Sequence, residues 1–160
     1  MDIRDVLRDD HRQMQELAAH ICESTDPLQT KKLFFQFKEL LTRHSRAEER
    51  VVYTALSGTE EQEAMTLACE GGVEHGLVDR LLQQNTRGRA DNVEWRARMK
   101  VIREMLDHHV EDEERAIFDA LGRLFDHRDL EKMGERFEEH KERVQLVSPR
   151  GKGDDPHATR

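Results

Sequence analysis

Apolar residues recur every three or four positions through most of the chain, which leaves one apolar stripe on each predicted helix. The spacing predicts five helices. The first covers about 2–23. Asp26, Pro27 and Gln29 supply an N-cap, a first-turn proline and a capping-box partner for the second, which runs to about 56 and ends at Gly58. Thr59 and Gln62 repeat the capping signature and open the third helix, which carries Gly71 and Gly72 and fades by 86–88. Asp91 and Glu94 open the fourth, about 92–125. A short break at 126–129 precedes the fifth, about 130–147, and 148–160 is a polar tail expected to be disordered. The expected fold is all-α: an up-down-up-down four-helix bundle with an additional C-terminal helix, in one domain over 1–147.

The second and fourth helices carry a repeat. Residues 43–56 (RHSRAEERVVYTAL) align with 108–121 (HHVEDEERAIFDAL) at an offset of 65. His44 matches His109, Glu48 matches Glu113, Glu49-Arg50 matches Glu114-Arg115, and Ala55-Leu56 matches Ala120-Leu121. The same offset, within one residue, relates Asp10-His11 to Glu74-His75. The first two helices therefore read as one unit and the next two as its copy.

A histidine four residues before an acid means little alone. The chain has five such pairs, among them His75/Asp79, His108/Asp112 and His127/Glu131, against roughly two expected by chance, because i,i+4 neighbours share a helix face whatever they do. Phase separates them. In the second helix Phe34, Phe37, Leu41, His44, Glu48, Val51 and Ala55 follow steps of 3 and 4, and in the fourth Met99, Ile102, Leu106, His109, Glu113, Ala116 and Ala120 do the same. His11 falls between Leu7 and Met14, and His75 between Gly71 and Val78. All four helices thus aim a histidine at the bundle axis, and two aim a glutamate as well. Two buried, unpaired carboxylates cost several kcal/mol each, and metal removes that cost. Four imidazoles and two carboxylates suit two first-row ions such as iron, ahead of manganese or zinc. The competing reading is a metal-free layer of His–Glu pairs that fixes helix register. Neither Glu-x-x-His nor HExxH occurs, which excludes the ferritin-like and zinc-protease patterns.

Composition agrees with a bundle. Charged residues are 38% and hydrophobic residues 36% of the 160. The net charge of −8, with basic residues scattered among acids, argues against a nucleic-acid partner. No apolar run reaches membrane-spanning length, and the N-terminus lacks a signal peptide's apolar core. Cys22 and Cys69 read as reduced, small buried hydrophobes in a cytoplasmic protein.

The order His, His-x-x-x-Glu, His, His-x-x-x-Glu on successive helices resembles the hemerythrin-like HHE cation-binding domain family, over about residues 1–125. The resemblance implies a non-heme di-iron centre in a four-helix bundle. His11, His44, His75 and His109 would be terminal ligands, Glu48 and Glu113 would bridge two Fe ions (Fe2+/Fe3+), and an oxo or hydroxo group would complete the bridge. Oxygen-carrying hemerythrins use five histidines, with His-x-x-x-His and His-x-x-x-x-Asp. This chain departs from that pattern, which argues against reversible oxygen carriage. The expected function is reaction with O2 or hydrogen peroxide, including catalase-like peroxide decomposition. The alternatives are an O2- or NO-binding or sensing module without turnover, and iron storage or donation for iron–sulfur repair. No output domain is expected beside the bundle, which lowers the sensor reading, and a homodimer is a candidate assembly.

Around this set, Asp10 and Glu74 are candidate acceptors for a ligand imidazole on the next helix. Asp79 is a candidate ligand or acceptor, and His108, one residue off the seam, a surface or supporting group. Tyr53 and Phe118 read as packing. His140 lies on the stripe of the fifth helix and reads as packing, with completion of the metal site as the alternative. Leu7, Val51, Gly71 and Ala116 flank the metal layer on one side. Two of them are small, so a ligand route is expected past Gly71 and Ala116, against the reading that the Gly71-Gly72 pair merely permits a kink.

Overall fold

The computed structural model describes residues 1–146, and among them every regular element is helical. The tail expected at 148–160 and Val147 lie outside the described residues. Helix α1 is Ile3–Glu23, capped by Asp2, whose side chain accepts from the Arg4 amide. Helix α2 spans 27–57. It is α-helical over Pro27–Glu48, π-helical over Glu49–Tyr53 and α-helical again over Thr54–Ser57. Helix α3 is Gln62–Arg87. Helix α4 spans 93–124, with a second π-helical turn at Glu113–Ile117 between Val93–Asp112 and Phe118–Leu124. Helix α5 is His127–Arg143.

Three starts differ from expectation. Glu61, not Thr59, is the N-cap of α3, and the Thr59 hydroxyl turns back to the Leu56 carbonyl at 2.7 Å. Asn92 caps α4 by accepting from the Glu94 amide at 2.8 Å, while Asp91 pairs with Arg89. Asp126 caps α5 through the Asp129 amide, so that helix begins three residues early and ends at Arg143. Asn92 and Asp126 cap because their side chains face the free amides of the first turn, whereas Glu61 makes no side-chain cap hydrogen bond.

The π-helical turns correct the expected phase after Glu48 and Glu113. A π turn inserts one extra residue and rotates everything beyond it. Val51 and Ala120 stay buried as expected, Val52, Tyr53 and Leu56 in α2 and Ile117, Phe118 and Leu121 in α4 are buried as well, and Ala55 and Ala116 are half-buried.

Two apolar clusters lie on either side of the inward histidines. One gathers Leu7, Val51, Leu56, Ala64 and Leu121 with Leu130 and Phe137 of α5. The other gathers Met14, Ile21, Phe34, Phe37, Leu82, Trp95 and Ile102. Helix α5 packs against α1 and α2. Neither cysteine belongs fully to the core. Cys22 is half-buried and Cys69 exposed, so the buried-hydrophobe reading fails for Cys69, which faces outward on α3. No helix of the described residues is long and apolar enough to cross a membrane.

Candidate metal centre

The six inward residues meet at one level. The imidazoles form two pairs: His11 and His44, with ring centroids 5.1 Å apart, and His75 and His109, 4.9 Å apart. Glu48 and Glu113 lie between them. Glu48 Oε2 is 3.8 Å from His44 Nε2, 3.1 Å from His75 Nε2 and 3.8 Å from His109 Nε2. Glu113 Oε2 is 3.5 Å from His11 Nε2 and 3.2 Å from His109 Nε2. Each glutamate therefore reaches both pairs.

All four rings are oriented from outside by carboxylates. His44 Nδ1 faces Asp10 Oδ2 at 3.0 Å, and His109 Nδ1 faces Glu74 Oε2 at 3.2 Å. His75 Nδ1 faces Glu49 Oε1 and His11 Nδ1 faces Glu114 Oε1, both at 2.9 Å. An ionised carboxylate only accepts, so each Nδ1 donates and each Nε2 is turned inward as a candidate ligand atom. The repeat is visible here. Asp10 and Glu74 on α1 and α3 hold the histidine of the following helix. Glu49 and Glu114 on α2 and α4 hold the histidine of α3 and α1.

A cation fits this arrangement on the behaviour of its polar atoms. His11 Nε2, His44 Nε2, Glu48 Oε1 and both Glu113 oxygens are buried without a hydrogen-bond partner. Such atoms cost several kcal/mol unless something positive accepts their lone pairs. The ligand atoms of His11, His44, Glu48 and Glu113 lie within 4.8 Å of one another, as do those of Glu48, His75 and His109. Two groups sharing Glu48 make room for two ions. In the metal-free state protons take their place. Burial pushes His11 and His75 down, but the adjoining carboxylates, Glu113 for the first and Glu48 for the second, override it and bring both up to about 9. His109 is likewise opposed by burial but, beside Glu113, Glu48 and Glu74, reaches about 12. Burial also works against ionisation of Glu48, yet contact with Glu113 and three imidazoles holds its carboxyl well below the usual range.

The remaining expected residues fall elsewhere. Asp79 pairs with Arg46 at 2.6 Å. His108 is exposed and pairs with Asp112. His140 is half-buried in the last turn of α5 and belongs to neither ligand group. Leu7 and Val51 are sealed in the apolar cluster. Gly71 leaves no void, since a Cβ there would run into the Tyr53 hydroxyl and ring. A cavity of about 100 Å³ nevertheless lies beside it, lined by Gly71, Glu74, His109, Glu113 and Ala116.

Tyr53 is the residue that periodicity misplaces. The π turn swings it inward, where its hydroxyl donates to Glu48 Oε2 at 3.1 Å and its ring stacks on His75 with centroids 5.5 Å apart. Burial, with Glu48 and Glu113 beside it, pushes the phenol well above its ordinary value, so it stays protonated as a donor. The sequence does hold a signal: Val51, Val52 and Tyr53 are consecutive apolar residues, and three in a row cannot share one face of a regular α-helix. Periodicity also misses Glu49 and Glu114, although the recurring Glu-Glu-Arg marks them.

The chain is similar to known proteins in sequence and in fold. In sequence, the chain is 28% identical over 146 residues to a DNA nickase from Nostoc sp., covering 91% of this chain but 40% of that protein. In structure, it superposes on a hemerythrin HHE cation-binding domain-containing protein from Mycobacterium kansasii with a TM-score of 0.75, at 24% identity, covering 89% of this chain and 88% of the other. The family described as the hemerythrin HHE cation binding domain matches residues 2–121. The chain, with its inward ring of histidines and glutamates, belongs to that family of cation-binding domains.

Proposed function

We propose that the chain is a cytoplasmic di-iron protein, built on four helices of alternating direction, that decomposes hydrogen peroxide to water and oxygen. The observation that carries this is the buried set of four imidazoles and two carboxylates with orphaned inward atoms, next to a cavity that reaches His109 and Glu113. Nitrogen and carboxylate donors in this ratio suit iron. Two irons held there would supply the two-electron exchange that peroxide disproportionation requires.

The chain's own residues do the rest. Glu48 and Glu113 span both histidine pairs, and the outer carboxylates hold each imidazole in the tautomer that ligates. Tyr53 donates to Glu48 and holds that carboxylate in place. The cavity of about 100 Å³ admits a molecule of peroxide's size, since a water occupies roughly 30 Å³ in the liquid. Glu70, Glu74 and Asp112 line it against a single Arg115, so neutral peroxide, O2 or NO enters more readily than an anion. DNA nicking is not carried over. The chain spans under half of that relative, and its net charge of −8 opposes binding to a polyanion.

Oxygen evolution from peroxide, normalised to iron, is the test. Turnover that disappears in Glu113→Ala supports the reading. Absent turnover with intact NO or O2 binding would make the chain a binding module instead.

A further inference from the structure

The repeat makes the two halves of the centre equivalent in sequence, yet α5 covers only one. Asp10 and Glu74 perform the same task in the two halves, and their surroundings differ. Asp10 is 3% exposed. Its Oδ1 accepts from Lys141 Nζ at 2.7 Å while its Oδ2 accepts from His44 Nδ1. Phe137, one turn earlier on α5, sets its ring edge-on to His44 with centroids 5.5 Å apart. Arg43, next to His44, donates to the Lys141 carbonyl at 2.8 Å and ties the end of α5 to α2. In the other half, the Glu74 side chain is 31% exposed, and among the described residues no lysine or arginine pairs with it.

Accessibility follows the same division. The side chains of His11 and His44 are 1% and 2% exposed, and that of His109 is 12% exposed. The cavity beside Gly71 opens onto His109, and a cleft of about 20 Å³ lies between His75 and His109. Neither is lined by His11 or His44.

We propose that the two metal positions are unequal. The His11–His44 position is sealed under α5. The His75–His109 position is where metal exchanges, and Lys141 is the positioning residue that enforces the difference. This rests on the two-metal reading above. Lys141 holds Asp10 in one orientation, and Asp10 holds the His44 ring. Because Asp10 is buried, breaking the pair leaves its charge uncompensated, so His44 turns away only when α5 lifts as a whole. His109 has no such brace, and water competes for Glu74.

The test is chelator extraction from iron-loaded protein, with metal per chain measured first. Release is expected in two phases of equal amplitude, the slow one at least ~10-fold slower, the scale on which groups behind a ligand act. His109→Ala assigns the phases: it should lose the fast phase and keep the slow one. Lys141→Met keeps the stem beside Phe137 and should accelerate the slow phase ~10-fold with the fast phase unchanged, and Lys141→Arg should restore it. Single-phase release of two metals from the natural chain overturns the inequality, whether or not any variant folds. So does Lys141→Met accelerating both phases equally, which would mark a general loosening. Fewer than two metals per chain before extraction would instead overturn the two-metal reading.

Discussion

At the scale of single residues, the two inward glutamates give the sharpest expectation. Glu48→Ala and Glu113→Ala should lower bound metal to similar extents, because each reaches both histidine pairs. His109→Ala should lose metal, while exposed His108→Ala should not, and metal analysis of the purified variants checks all four. Protonation gives a second expectation with opposite signs for two observables. His11 and His75 stand at about 9 in the metal-free protein, above the ordinary 6.5. Raised folded-state values contribute stability that is complete below 6.5 and is lost as pH rises through about 9. Metal must displace those protons, so metal affinity rises over the same window and binding releases protons. Urea unfolding of metal-free protein at the two ends of the window, with proton release on metal addition in weak buffer, measures both. Metal-free stability that is flat across the window would contradict the charged state assigned to these imidazoles. A third expectation concerns Gly71→Ala. The helix gains about 1 kcal/mol in propensity, but the new Cβ meets Tyr53, and overpacking costs about 1–3 kcal/mol. The variant should be less stable. Tyr53→Phe should relieve part of the loss, because the hydroxyl is the nearest obstacle, so a double-mutant cycle should be non-additive.

At the scale of elements, regular periodicity is legible in the sequence and its interruption is not. His44, Glu48 and His109 precede the π turns and Glu113 is the first residue of one, so regular 3,4 spacing locates them. Everything after Glu48 and Glu113 is rotated by the extra residue, which is why spacing alone makes Tyr53 packing and Ala55 core. The trace of the π turn lies in runs such as Val51-Val52-Tyr53, whose consecutive burial no uniform helix allows. The partners of the four Nδ1 atoms are half legible. Asp10 and Glu74 can be named from their place before each histidine, whereas Glu49 and Glu114 need the turn that points them across to a neighbouring helix. The cavity between α3 and α4 belongs at this scale as well. Ala116→Leu should slow azide or peroxide binding and leave metal content unchanged, as stopped-flow mixing would show. Unaltered kinetics with leucine filling that space would exclude this route.

At the scale of the whole molecule, the His/Glu layer divides the interior into two apolar clusters. Without metal, five buried polar atoms in that layer lack hydrogen bonds. Metal removal should therefore lower the midpoint of thermal unfolding, and adding metal back should restore it, which calorimetry on stripped and reloaded protein tests. The layer also closes on itself. Every helix from α1 to α4 contributes one inward imidazole and one outer carboxylate that holds the imidazole of a different helix. The α1–α2 hairpin contains half of the parts, two imidazoles, two outer carboxylates and one inward glutamate: Asp10-His11 on one arm, His44 with Glu48-Glu49 on the other. It supplies half of a ring and displays the complement of the half it lacks. Two such hairpins facing each other about a twofold axis satisfy all the contacts of the ring, so the architecture is that of a self-complementary dimer joined into one chain. The two halves are not alike from outside, because α5 packs on the α1–α2 hairpin.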